Sequence, residues 1–135
     1  MKTIAITIDE ASKGKYVLPG LIDAHTHADN FAAFRRALES GVTTGRSAGV
    51  SNYVDVGFNE LVEMGFTPLE AIQSATIRNA EMLRLEKSIG VIETGYEADL
   101  IAVEKNPLET IATVQDPLLV ISNGRVGLDR LNFAR

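Results

Sequence analysis

From Leu21 to Ala28 the chain alternates, and the two faces of that alternation differ in chemistry. A strand sends successive side chains to opposite sides. Ile22, Ala24, Thr26 and Ala28 therefore share one face, while Asp23, His25 and His27 share the other. The first face is small and apolar enough to pack. The second is made of groups that bind protons or metal ions.

The flanking sequence surrounds this segment with more strands. Residues 3–8 alternate with Ile4, Ile6 and Ile8 on one side, and Lys15–Leu18 reads as a second strand punctuated by Pro19–Gly20. Asp29 or Asn30 can cap a helix that begins at Phe31, carries Phe34, Ala37 and Leu38 at helical spacing and stops at Gly41. Val42–Thr44 resumes as strand. Residues 45–56 read as a loop, with room for a short strand around Tyr53–Val54.

A short helix over Phe58–Met64 ends at Gly65. Thr67–Pro68–Leu69–Glu70 then combines an N-cap, a first-position proline and a capping-box glutamate. Leu69, Ile72, Ala75, Ala80 and Leu83 give the helix that follows, ending near Leu85, an apolar stripe. Ser88–Ile92, Asp99–Val103 and Leu118–Ile121 read as short strands, and Asn123–Gly124 as the two-residue turn of a closing hairpin with Arg125–Val126. Strands at both ends with helices between make a mixed α/β fold.

A length of 135 residues suits a single compact unit, and 45% apolar with 23% charged residues suits a chain that buries a core. The formal charge of −5 is spread without a basic stripe, which argues against nucleic acid or an anionic membrane surface as partner. Arg35–Arg36, with Glu39 nearby, reads as a solvated helix face. Cysteine is absent, so neither disulfides nor thiolate ligands enter the argument. No window approaches the roughly 20 apolar residues of a membrane span, and the N-terminal apolar run is too short for a secretory signal, so a cytoplasmic location is expected.

His25-x-His27 is the feature with chemical content. Residues two apart on a strand project the same way about 6.6 Å apart, close enough for two imidazoles to converge on one ion. An isolated pattern of this kind also occurs as incidental histidines. The surrounding residues sharpen it. Tyr16–Val17–Leu18–Pro19–Gly20–Leu21–Ile22–Asp23–Ala24–His25–Thr26–His27 resembles the signature of the amidohydrolase superfamily, where it forms the first strand of a (β/α)8 barrel. Gly41–Thr44 with Arg46 is similar to the second barrel strand, Thr67–Glu81 to the family's late helix, and Gly95–Val103 to the entry of its C-terminal β-domain. Asn123–Val126 matches the closing hairpin. The resemblance is nearest to the imidazolonepropionase-like and dipeptidase-like members.

That resemblance implies a composite β-sandwich built from residues 1–20 and 88–128, with residues 21–87 as a remnant of the barrel. It implies metal-dependent hydrolysis of C–N bonds in amides, cyclic amides or dipeptides, with a zinc ion lowering the pKa of bound water and polarising the carbonyl. The metal ligands it carries over are His25 and His27, with Asp23 at a second-shell or structural position.

The rest of the family's ligand set has no counterpart. The sequence has two histidines, both already in the motif, and almost nothing separates the second-strand segment from the late helix. Ser47 stands where related sequences often carry aspartate, and Asp29, Asp55 and Glu60 read as helix-cap or surface carboxylates. Two readings follow. One is a hydrolase with a weak or incomplete zinc site that needs donors from elsewhere, its substrate a small molecule. The other is a non-catalytic module. In both, exposed strand edges predict a homo-oligomer, and a symmetric dimer would bring four imidazoles together.

Overall fold

A computed structural model describes residues 13–26, 30–47 and 58–131. The elements in chain order are β1 (Tyr16–Pro19), β2 (Leu21–Thr26), α1 (Phe31–Glu39), β3 (Val42–Ser47), α2 (Phe58–Glu63), α3 (Pro68–Ser74), α4 (Ile77–Leu83), β4 (Leu100–Val103), β5 (Leu119–Ser122) and β6 (Arg125–Asp129). A 3₁₀ turn over Ile111–Gln115 lies between β4 and β5.

Two sheets form. The first has the order β1-β4-β5-β6, antiparallel throughout, so a strand from the start of the chain pairs with three from its end. Asn123 and Gly124, with φ of 47° and 70°, make the left-handed turn that matches the twist of the β5–β6 hairpin. The second sheet is the parallel pair β2–β3, joined through α1 as a βαβ unit. Where a sandwich is expected, the described residues form one four-stranded antiparallel sheet; the strand expected over 3–8 lies outside them, as does the short strand around Tyr53–Val54.

The main core spans both sheets. Ile101, Val103, Val114 and Val120 are fully buried and pack with Leu18, Leu21 and Ile72. Polar bonds reinforce the join: the Gly20 N–H donates to Asp99 O at 2.8 Å and the Ser122 hydroxyl to Thr43 O at 3.2 Å. The buried Asp99 carboxylate accepts from the Asn123 N–H at 2.7 Å and from the Thr44 hydroxyl at 3.3 Å.

Helix ends follow the local chemistry. Asn30 caps α1, its side-chain oxygen accepting from the Ala33 N–H at 2.9 Å. Thr67 and Glu70 form a reciprocal capping box at the start of α3. One long helix to Leu85 is not what forms, however. The chain breaks at Ala75–Thr76 into α3 and α4, and the break has a reason: the freed Ala75 carbonyl accepts from the Ile22 N–H at 2.7 Å. An unbroken helix would spend that carbonyl internally.

Ser88–Ile92 is a second correction. Its alternation suggests a strand, yet it forms turns. Gly90 has a φ of 92°, outside the extended region, and Ile89 buries itself against Ala80 and Ile22 instead of joining a ladder. Among the described residues no helix is long and apolar enough to cross a membrane.

Candidate functional site

β2 carries the candidate site, and its burial follows the alternation. Ile22, Ala24 and Thr26 are buried, Asp23 is half-buried and His25 is exposed. The buried side packs on α4 and the segment after it, where Ile22, Ala80 and Ile89 form a cluster with Ile77 and Leu83 against it. Parallel sheets are normally covered on both faces; on the other face of β2 His25 is exposed.

β2 is held along both edges. β3 pairs with one. The other is taken by the helical pair: besides the Ile22 N–H bond to Ala75, the Asn79 carboxamide donates to Ile22 O at 2.6 Å. Asn79 falls within the late-helix motif, but its spacing on α4 does not show that it reaches a strand 57 positions away. A chain-distant side-chain bond of that kind leaves no periodic trace in a sequence.

Within β2 the register against β3 shifts between Asp23 and Thr26: Asp23 faces Gly45 and Thr26 faces Ser47, three steps against two. This is a bulge on β2. Inside it the His25 N–H donates to Asp23 Oδ1 at 2.9 Å. Asp23 thus binds the backbone of the residue two places on. Gly45 stands across from it, and a Cβ there would come within 3.2 Å of Thr26 Cγ2, so this stretch of β3 tolerates little bulk on its packed side.

Of the sequence-predicted site residues, the structure places Asp23 and His25 together on the outward side of β2. His27, Asp29 and Asp55 lie outside the described residues, and so does the side chain of Glu60. A mainly apolar groove of about 190 Å³, lined by Thr26, Phe34, Leu38, Val42, Thr43 and Gly45, opens between α1 and the β2–β3 pair. Thr26 belongs to the packed face of β2, so this groove does not open onto His25.

The donors can be tested against a metal. Among the described residues no three histidine, aspartate or glutamate side chains gather closely enough to hold an ion. Asp23 Oδ1 is engaged by the backbone. Among the described residues the site offers one imidazole, His25, and the Asp23 carboxylate beside it, fewer than the three protein ligands that a catalytic zinc usually takes. The residue types fit zinc; among the described residues their number does not make a complete hydrolytic centre.

The sequence profile of the amidohydrolase family matches residues 33–127, so this chain belongs to the amidohydrolase family. Among curated proteins it is similar to ochratoxinase from Aspergillus niger, at 35% identity over 108 residues, which is 76% of this chain and 21% of that protein. It is also similar to imidazolonepropionase from Anaeromyxobacter dehalogenans, at 31% over 123 residues, 82% of this chain and 29% of that one. Among solved structures, a Xaa-Pro dipeptidase with bound methionine superposes with a TM-score of 0.52 at 40% identity, covering 70% of this chain and 24% of the dipeptidase. The chain therefore spans under a third of the length of each of these relatives.

Proposed function

We propose that the chain is the first-ligand portion of a metal-dependent amidohydrolase acting on C–N bonds of amides, cyclic amides or dipeptides. His25 and His27 are its zinc ligands, and unaided it is catalytically incomplete. The observation that carries this reading is the outward placement of His25 on a strand whose opposite face is packed and whose edges are both held. A residue so supported and so accessible is suited to bind. The similarity to a dipeptidase and to an imidazolonepropionase supports the substrate class.

In this reading the sheet β1-β4-β5-β6 belongs to the composite β-unit that flanks the barrel, and β2, α1 and β3 are the barrel's remnant. The pairing of β1 with β4 supports the division. The missing donors come from a second copy of the chain, in a homo-oligomer that also covers the His25 face of β2.

Elemental analysis of size-separated protein tests this, combined with hydrolysis assays on N-acyl amino acids, cyclic amides and dipeptides. Expected is less than one zinc per chain in the monomer, no turnover there, and zinc concentrated in the oligomer. A monomer carrying a full equivalent of zinc and turning over substrate would overturn the incompleteness. Absence of zinc from every fraction would leave the second reading, a non-catalytic structural module, which the count of two histidines favours.

A further inference from the structure

We propose that Asp23 is a positioning residue for His25 that acts through the backbone, and is neither a metal ligand nor a proton acceptor. The proposal deepens the functional reading above and rests on it for the role of His25, but the geometry behind it stands on its own.

Three observations converge. β2 gains a residue against β3 between Asp23 and Thr26, so the register passes over Ala24 and His25. A backbone N–H at a bulge gains from an acceptor fixed close by. Asp23 Oδ1 meets that of His25 at 2.9 Å, from a side chain two residues earlier on the same strand. The carboxylate therefore closes the bulge from within. It does so on the face that presents His25, since residues two apart share a face. Without that acceptor the bulge loses this tie to the backbone that carries the imidazole.

What this role demands is an oxygen acceptor at the Oδ1 position. It makes no use of negative charge. A metal ligand or a proton acceptor would need the charge. Aspartate and asparagine separate the two cases, because asparagine keeps the acceptor oxygen at nearly the same size.

The test compares the full chain with Asp23→Asn and Asp23→Ala. It reads the His25 amide by hydrogen exchange and by its proton chemical shift, zinc uptake by titration, and the melting midpoint as a check on folding. Expected is a His25 amide in Asp23→Asn that exchanges within about twofold of the parent and keeps its shift, with zinc uptake also retained. In Asp23→Ala the same amide exchanges about tenfold faster and moves upfield, as the loss of one hydrogen bond implies. Equal loss in both variants would overturn the proposal, since charge would then be the requirement. An unchanged His25 amide in Asp23→Ala would overturn it too. A parent that takes up no zinc sinks the metal reading alone, and the amide comparison still decides the role of Asp23. Were Asp23→Ala to melt far below the parent, the amide and zinc data of Asp23→Asn alone would carry the decision.

Discussion

The Asn79 carboxamide donates to the Ile22 carbonyl at 2.6 Å, joining α4 to the strand that carries the candidate site. The Ile22 N–H goes to Ala75 O at 2.7 Å, so both backbone groups of one β2 residue are met by a helical pair instead of a neighbouring strand. Exposed strand edges are liabilities, and here the α3–α4 break does the covering. Asn79→Ala leaves the Ile22 carbonyl without its donor and is expected to cost about 1–3 kcal/mol. Asn79→Asp should cost at least as much, because a carboxylate turns an attraction to the carbonyl into a repulsion. Denaturant midpoints of the two variants, read with Ile22 amide exchange, check both expectations.

Asp99 makes a second long-range tie. Its buried carboxylate receives the Asn123 N–H at 2.7 Å and the Thr44 hydroxyl at 3.3 Å, linking the hairpin turn to β3. Asp99→Ala removes both bonds and leaves the Asn123 N–H unmet, for an expected loss of about 2–3 kcal/mol, since hydrogen bonds to charged groups lie at the strong end. Thr44→Val removes only the longer one and should cost under about 1.5 kcal/mol. A ranking in which Thr44→Val is the more damaging, by chemical denaturation, would show that the hairpin bond is not the stronger tie.

How much of this was legible in the residues depends on what kind of interaction fixed each part. Local patterns carried through. The alternation at 22–26 is the burial pattern of β2, Asn30 is the cap of α1, Thr67 with Glu70 is the capping box, and Asn123–Gly124 is the hairpin turn. Interactions across the chain did not show. The helix over 68–83 is periodic enough to read as one element, because nothing local reveals that Ile22 will claim the carbonyl of Ala75. Ser88–Ile92 alternates like a strand, but Ile89 finds a better burial against Ala80. At the site, His25 and Asp23 were readable as a pair on one face, whereas the bulge that ties them depends on the register of β3 and was not.

Glu70 gives the structure a pH dependence with a definite sign. The Thr67 N–H donates to its carboxylate at 2.8 Å and the Thr67 hydroxyl at 2.7 Å, and these bonds, the backbone one first, hold its pKa below the ordinary carboxylate value. A group whose folded pKa is lowered contributes stability above its unfolded pKa and loses it as pH falls through the folded one. The stability gap between the parent and Glu70→Gln should therefore be present at neutral pH and close as the pH falls through the lowered carboxylate range. Thr67→Ala removes the N-cap as well and should cost about 1 kcal/mol at neutral pH. Melting midpoints across that pH range test both. A gap that widens on acidification would contradict the assignment.

Gly90 and Gly95 allow backbone strain to be separated from packing. Both hold positive φ, 92° and 101°, so an alanine at either position pays for a left-handed conformation, about 1–2 kcal/mol. Their surroundings differ. A Cβ at Gly95 meets nothing within 4 Å, while one at Gly90 stands 3.0 Å from Ala80 Cβ and 3.0 Å from Ile77 Cα. Ala80 is completely buried, and Ile77 Cα is backbone, so neither can step aside cheaply. Gly95→Ala should therefore show the conformational cost alone. Gly90→Ala should add an overpacking cost of about 1–3 kcal/mol and loosen the Ile22–Ala80–Ile89 cluster behind β2. The difference between the two variants in urea unfolding measures that second contribution directly, and equal losses at the two positions would mean that α4 yields to the added methyl.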